Sequence, residues 1–248
     1  MIIASMFFGL IGLILINVPV AIALGLVGAL ATVASYGTLA LPNVGMVMFN
    51  GATKFPLIAI PLFILAGAIM NASSISRRLI DLASAMVGFI KGGLAMVTIG
   101  ASIFFAEISG SAVAGVSAIG SILIPAMRKK GYSKEFAAAI SSSAASLAII
   151  LPPSIPMILY AVMSGESVVK MFVAGIFPGL LGALGLAAMC YFLARRHNLP
   201  AEQSFQASRL WEAFKGAIWA LLIPVIILGG IFGGIVTATE GAALAVVV

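Results

Sequence analysis

Charged and apolar positions in this chain alternate on the scale of whole helices rather than of single residues. The charged residues come in short clusters, and long stretches without any charge separate them. These stretches are residues 1–53, 55–76, 136–165, 171–194 and 216–239, and residues 92–127 carry a single charge, Glu107. Because a membrane-spanning helix needs about 20 predominantly apolar residues, most of the stretches can cross a bilayer. The pattern predicts an all-α, polytopic membrane protein.

Composition points to the same class and excludes several others. Of the 248 residues, 62% are hydrophobic and 8% charged, with a mean hydropathy of +1.25, whereas soluble domains are about 45–50% apolar and about 25% charged. A soluble enzyme, a nucleic-acid-binding domain, a disordered chain and a disulfide scaffold are therefore excluded. We interpret the net charge of +6 as the excess of Lys and Arg that keeps loops in the cytoplasm, with no nucleic-acid partner.

Three basic clusters predict the orientation of the segments, because the positive-inside rule places them in the cytoplasm. The clusters are Arg77, Arg78 and Lys91; Arg128, Lys129, Lys130 and Lys134; and Arg195, Arg196, Arg209 and Lys215. Residues 55–72 then cross inward, two spans fit between the second and third clusters, and residues 217–236 cross outward.

The first 91 residues contain one ambiguous segment and one amphipathic segment. Asn17-Val18-Pro19 divides residues 1–35 into either one long kinked span or two short ones, and we favour the kinked span because proline bends a helix. Residues 73–91 have apolar residues at helical spacing between basic ends, which predicts a helix along the cytoplasmic interface.

Residues 92–127 are too few for two ordinary crossings. Both ends adjoin basic clusters and so lie in the cytoplasm, yet two crossings need about 40 residues plus a turn. The central Ser109-Gly110-Ser111 is poorly suited to a helix interior. We predict a re-entrant hairpin whose tip lies near the midplane, where exposed backbone requires protein, water or a ligand. Two short helices packed through small residues are the alternative.

A second break, Leu151-Pro152-Pro153-Ser154, lies within the uncharged residues 136–165. Prolines remove amide donors and free carbonyls about one turn earlier, around Ala148 and Ile149. The pattern predicts a discontinuous helix. Secondary transporters bind alkali cations and anionic substrates at the breaks of such helices, near the middle of the membrane. Free carbonyl oxygens suit Na⁺, and a helix N-terminus suits a carboxylate.

Around these breaks the sequence resembles the large membrane subunit of TRAP transporters (tripartite ATP-independent periplasmic transporters, DctM-like). The resemblance rests on SGSA at 109–112, GY at 131–132, PPS at 152–154 and AG-x-x-PG at 174–179, with FPLIAIPLFILAGAIM at 55–70 and TATEGAA at 237–243. It extends over essentially the whole chain, in the family's order.

The resemblance implies Na⁺-coupled import of organic acids, carboxylates such as dicarboxylates or sugar acids, across the inner membrane of a bacterium or archaeon. It implies no enzymatic activity, no cofactor apart from Na⁺ as coupling ion, and two partners, a small four-helix membrane subunit and a periplasmic substrate-binding protein. Family members are longer, so half of the substrate site is expected outside these 248 residues.

The implied fold is the first of two inverted repeats of an elevator-type transporter. Residues 1–91 are assigned to scaffold helices and the interfacial helix, and residues 92–196 to a transport domain with the hairpin (92–127) and the interrupted helix (134–165). Residues 197–216 are assigned to a cytoplasmic connector and residues 217–248 to the truncated start of the second repeat.

Carried over residue by residue, the resemblance assigns a site to the hairpin tip and the interrupted helix. The Na⁺ ligands are expected among Ser109, Gly110, Ser111, Ala148, Ile149, Pro152 and Ser154, and the substrate contacts are Ser111, Pro153 and Ser154. Glu107, an acid within the membrane, is a candidate coupling residue; a polar contact without a coupling role is the alternative.

Two other functional classes are weighed against transport. An intramembrane hydrolase of the serine type needs a membrane-embedded histidine near its nucleophile, and the single histidine, His197, lies in the polar connector. A passive channel or scaffold predicts polar residues along several helices rather than two clustered breaks.

Overall fold

The computed structural model describes residues 2–197, 199, 201 and 204–247, and these residues form helices and connecting loops without a β-strand among them. The α-helices are α1 Ile2–Leu15, α2 Val20–Tyr36, α3 Leu41–Ala52, α4 Ala59–Ala72, α5 Ile75–Val87, α6 Gly93–Ser109, α7 Ala112–Lys129, α8 Lys134–Ala145, α9 Ile155–Ser164, α10 Val168–Arg196, α11 Ala207–Phe232 and α12 Ala238–Val247. Short 3₁₀ helices occur at Thr38–Ala40, Phe55–Ile58 and Ser146–Ile149.

Among the described residues, four helical segments are long and apolar enough to cross a membrane. By length and composition they are Phe55–Ala72, Ala112–Lys129, Val168–Arg196 and Ala207–Phe232. The prediction of an all-helical, polytopic membrane protein is therefore confirmed.

The chain divides into two compact units, one ending at Lys54 and the other beginning at Phe55. In the first unit, α1 and α2 pack against each other, so the favoured prediction of one long kinked span is wrong and two separate helices are present. The backbone of Asn17 is left-handed, with φ of 69°, and Pro19 has no N–H with which to continue α1. Together these residues turn the chain back on itself, where a proline alone would only have bent it.

In the second unit, α6 is the central helix. It is apolar on nearly every side, which is typical of a buried helix, and it contacts α4, α5, α7, α8, α10 and α11. The largest fully buried side chains include Phe63 of α4, Phe105 of α6 and Phe172 of α10. The break at the end of α6 is therefore held inside the unit rather than at its edge.

The amphipathic segment predicted at residues 73–91 forms α5. Its Leu79, Leu82 and Ala83 are buried, and Arg78 donates a hydrogen bond from Nη1 to the carbonyl of Gly216, at 2.9 Å. Helix α5 is thus fixed to α11, and its predicted position along the cytoplasmic interface stays a prediction.

The predicted connector, residues 197–216, is shorter than expected. Helix α11 already begins at Ala207, because residues 207–216 continue without a break into the apolar residues that follow. Four residues of the connector, Asn198, Pro200, Glu202 and Gln203, lie outside the described part of the chain.

Candidate functional site

The first break separates α6 from α7 at Gly110 and Ser111. Gly110 ends α6 in the left-handed conformation, with φ of 57°, and its N–H donates to the carbonyl of Ala106 at 3.0 Å. Ser111 begins α7 as its N-cap, since its Oγ accepts a hydrogen bond from the N–H of Ala114 at 3.3 Å. Glycine and serine are the residue types that favour these two positions, and α6 and α7 pack against each other.

The second break separates α8 from α9. Helix α8 tightens into the 3₁₀ helix Ser146–Ile149 and then loses helical geometry through Pro152 and Pro153, which have no N–H to donate. Ser154 begins the next helix: its Oγ accepts from the N–H of Met157 at 3.4 Å and donates to the carbonyl of Ile149 at 2.6 Å. One hydroxyl therefore ties the end of one half-helix to the start of the other.

The two breaks are in direct contact. The N–H of Ile155 donates a hydrogen bond to the carbonyl of Gly110, at 3.3 Å. A Cβ atom added to Gly110 would lie 2.5 Å from the carbonyl oxygen of Pro153, so the contact depends on glycine, and Pro152 and Pro153 are themselves buried. The chain therefore leaves the helical conformation at both predicted breaks, and the two breaks adjoin.

Four helix ends meet at this contact. Helix α6 and the 3₁₀ helix end there with carbonyls, which carry partial negative charge, while α7 and α9 begin there with N–H groups, which carry partial positive charge. Ser109 and Ser154 are almost fully buried, at 1% and 0% exposure, and Ser111 is half-buried. The arrangement brings groups that attract a cation and groups that attract an anion into one region.

Several of the expected ligand atoms already have partners within the chain. The carbonyl of Ile149 accepts the hydroxyl of Ser154, and the Oγ of Ser109 accepts from the N–H of Ser111 at 3.4 Å. A hydroxyl oxygen has two lone pairs, so Ser109 and Ser111 each retain one for a ligand. Ala148 is buried within the 3₁₀ helix, which contacts both α6 and α7.

Glu107 lies close to the break in sequence but lines a different region. Its side chain faces a groove of about 670 Å³ along α11, together with apolar residues that include Phe214, Ile218 and Pro224. The expected Na⁺ and substrate residues do not line this groove. The structure thus brings the two breaks together but does not place Glu107 with them.

Helix α10 supplies a part of the site to which sequence analysis assigned no role. Gly175 faces the carbonyl of Ile150 and the side chain of Met157, so closely that a Cβ atom could not be accommodated. One turn later, Gly179 faces the side chain of Leu151. The AG-x-x-PG motif places these two glycines on one helix face, and such spacing is a known signal of close helix packing.

Comparison with known proteins identifies relatives over most of the chain. The family model for the tripartite ATP-independent periplasmic transporter, DctM component, matches residues 7–248. The isethionate TRAP transporter permease protein DctMQ of Oleidesulfovibrio alaskensis is 46% identical over 240 residues, which cover 96% of this chain and 38% of that protein. The C4-dicarboxylate TRAP transporter large permease protein DctM of Vibrio cholerae is 44% identical over 248 residues, 100% of this chain and 54% of that protein.

A third relative, the 2,3-diketo-L-gulonate TRAP transporter large permease protein YiaN of Escherichia coli, is 42% identical over 236 residues, 95% of this chain and 55% of that protein. The chain therefore spans about half, or less, of the length of these relatives. All three relatives are transporter permeases rather than enzymes, which removes the hydrolase alternative.

Proposed function

Because the chain belongs to the DctM component family of tripartite ATP-independent periplasmic transporters, we propose that it forms the first part of a Na⁺-coupled importer of organic acids. The observation that carries this proposal is the hydrogen bond from Ile155 to Gly110, which joins two helix breaks inside the second unit. The relatives named above are described as permeases for isethionate, C4-dicarboxylates and 2,3-diketo-L-gulonate, and all of these are small organic anions.

The depth of the first break supports its assignment as the tip of a re-entrant hairpin. Gly110 contacts Ile155, which lies about two-thirds of the way along the interrupted segment from Lys134 to Ser164. Since residues 136–165 carry no charge, this segment crosses the hydrocarbon region in the proposed arrangement. The tip of the α6–α7 pair then lies within the hydrocarbon region, and both ends of the pair lie on the cytoplasmic side.

The ends of α6 and of the 3₁₀ helix Ser146–Ile149 would hold the coupling cation. Hydroxyl and carbonyl oxygens are hard ligands of the kind that alkali cations accept at interrupted helices. Ser109 and Ser111 supply the hydroxyl oxygens, and Gly110, Ala148, Ile149 and Pro152 supply backbone carbonyls; Ser154 acts by fixing the Ile149 carbonyl.

The starts of α7 and α9 would hold the acid group of the substrate. Their first-turn N–H groups lack helical partners and favour negative charge. Ser111 is the substrate contact that keeps partial exposure, whereas Pro153 and Ser154 are buried against the first break. Substrate contact at those two residues therefore requires the two breaks to separate locally.

The remaining parts of the proposed importer lie outside the described chain. The part of each longer relative that this chain does not cover is about as long as the chain itself. That length can accommodate the second inverted repeat and the rest of the substrate site. The partners are a small four-helix membrane subunit and a periplasmic binding protein, and the name DctMQ of one relative fits a fusion with the small subunit. Transport would follow an elevator motion in the inner membrane.

The cation site can be tested by comparing stabilisation of the complete permease in Na⁺ and in K⁺. A ligand at 100 times its Kd stabilises the folded state by about 2.7 kcal/mol, and we expect this gain from Na⁺ only. Ser111→Ala should remove about half of it, since a tenfold loss of affinity corresponds to about 1.4 kcal/mol.

Ser121→Ala is the matched control, because Ser121 lies on the same helix, is exposed, and donates its hydroxyl to the carbonyl of Ala118. This variant should keep the full Na⁺ response. Equal stabilisation by Na⁺ and K⁺ in the unmodified permease would refute the cation site.

The role of Glu107 is tested separately in transport. Glu107→Gln removes the charge while keeping the size of the side chain, and uptake by the complete complex is then measured against Na⁺ concentration and against pH. A coupling role predicts that one of these dependences changes. Unchanged curves for both would assign Glu107 a polar contact only.

A further inference from the structure

A second groove lies on the surface of the second unit, between α5, α6 and α11. Its volume is about 530 Å³, and all eight described residues that line it are apolar. We call it the α5–α11 groove; its walls include Leu82, Met86 and Phe104 on one side and Leu210, Trp211 and Phe214 on the other. Met86 and Trp211 are 44% and 57% exposed, so the groove is open to the surroundings of the helix bundle.

The length of the groove matches one leaflet of a bilayer. Its lining on α11 runs from Ala207 to Leu221, which at 1.5 Å per residue is about 21 Å. Half of the hydrocarbon core is about 15 Å thick, so the groove accommodates an acyl chain together with the start of a headgroup. The whole of α11 has 26 residues, about 39 Å, which exceeds the hydrocarbon core of about 30 Å, so part of the helix extends into the headgroup layer.

Positive charge is fixed beside the groove, along its α11 wall. The Nζ of Lys215 lies 5.2 Å from the ring centroid of Trp211, a residue of the groove wall. The neighbouring Gly216 carbonyl accepts the hydrogen bond from Arg78 at 2.9 Å, which brings a guanidinium close to the same turn. Together α5 and α11 carry four cations and two acids: Arg77, Arg78, Arg209 and Lys215, with Asp81 and Glu212.

We propose that the α5–α11 groove binds an acyl chain of an anionic phospholipid, whose headgroup phosphate is held by Lys215 and Arg78. Basic pockets between transmembrane helices bind the headgroups of anionic lipids, and here two cations lie beside an apolar groove. A zwitterionic lipid would fill the same groove but would gain nothing from the two cations. The site is separate from the two helix breaks and does not depend on the proposed transport.

Trp211 allows the site to be tested directly, because the chain contains two tryptophans only, Trp211 and Trp219. Trp219→Phe leaves Trp211 as the reporter, and the chain is reconstituted in vesicles that contain phosphatidylglycerol or phosphatidylcholine with brominated acyl chains, which quench tryptophan fluorescence on contact. We expect brominated phosphatidylglycerol to quench Trp211 at a lower mole fraction than brominated phosphatidylcholine. Lys215→Gln should reduce this preference about fivefold, and Lys170→Gln, at the start of α10, should leave it unchanged.

Trp211→Phe provides the matched reporter control, since Trp219 is 71% exposed on the same helix and does not line the groove. Trp219 should be quenched equally by the two lipids. Equal quenching of Trp211 by both lipids would overturn the proposal, because the groove would then be an ordinary lipid-facing surface. Absence of quenching at Trp211, with normal quenching at Trp219, would also overturn it, because protein would then cover the groove.

Discussion

The contact between the two helix breaks predicts that Gly110 tolerates no side chain, and the cost can be divided into two parts. Alanine in the left-handed conformation, here with φ of 57°, costs roughly 1–2 kcal/mol. The added Cβ would also lie 2.5 Å from the carbonyl oxygen of Pro153. Because that atom belongs to the backbone, it cannot rotate away, and forced packing of this kind costs about 1–3 kcal/mol. Gly110→Ala should therefore destabilise the fold by about 2–5 kcal/mol.

Gly165 offers a control that isolates the steric part. It ends α9 as Gly110 ends α6, in the left-handed conformation with φ of 75° and with its N–H donating to the carbonyl four residues earlier. An added Cβ there meets nothing within 4 Å. Gly165→Ala should thus lose only the backbone part, roughly 1–2 kcal/mol.

The difference between the two variants is the quantity to measure. Equilibrium unfolding with sodium dodecyl sulfate in mixed micelles, followed by tryptophan fluorescence, gives the free energy of unfolding of each variant. We expect Gly110→Ala to be less stable than Gly165→Ala by about 1–3 kcal/mol. Equal losses in the two variants would contradict the close approach of Gly110 to Pro153 and, with it, the adjoining breaks.

Two further predictions concern hydroxyl groups and a helix cap. Among the described residues, the hydroxyl of Ser102 is buried without a hydrogen-bond partner, so Ser102→Ala should leave the free energy of unfolding unchanged or raise it by about 1 kcal/mol. Ser154→Ala removes a helix cap and should lower the free energy of unfolding by about 0.5–2 kcal/mol. A loss of stability in Ser102→Ala would instead indicate a bound water or ion. At the start of α12, the N–H of Thr237 donates to Oε2 of Glu240 at 2.7 Å and the N–H of Glu240 donates to the hydroxyl of Thr237 at 3.3 Å, a reciprocal cap. Glu240→Ala should accelerate hydrogen exchange in the first turn of α12, while Glu240→Gln should preserve most of the protection, and identical exchange in both would argue against the cap.

The helix breaks could be predicted because their causes are local. Ser-Gly-Ser and Pro-Pro-Ser interrupt a helix through the conformation of glycine, the missing donor of proline and the capping hydroxyl of serine, and none of these effects requires knowledge of the rest of the fold. The same local chemistry failed at residues 17–19. Proline predicts a bend, but the left-handed Asn17 turns the bend into a reversal, and a sequence gives only a weak signal for that conformation.

Contacts between distant segments could not be predicted in the same way. Arg78 is hydrogen-bonded to Gly216, and Gly175 packs closely against Ile150. These residues are far apart in the sequence, and no rule of local structure predicts that they meet. The two glycines of α10 belong to a motif in the sequence, and their four-residue spacing is typical of a close helix contact, but only the fold shows that the contacted segment is the second break. The supporting residues of a site are therefore harder to find in a sequence than the break itself.

Glu107 illustrates how distance along the chain can mislead when the chain is helical. Residues two positions apart in an α-helix differ by about 200° in direction around its axis. The side chain of Glu107, two positions before Ser109, therefore points to nearly the opposite face. Glu107 accordingly faces α11 near Pro224, a residue that leaves the carbonyl of Ala220 without its usual helical donor. If Glu107 takes part in coupling, the path runs through α11 near Pro224 rather than through direct contact with a cation at the tip. A change in the pH dependence of uptake, with an unchanged affinity for Na⁺, is then the result to expect from Glu107→Gln.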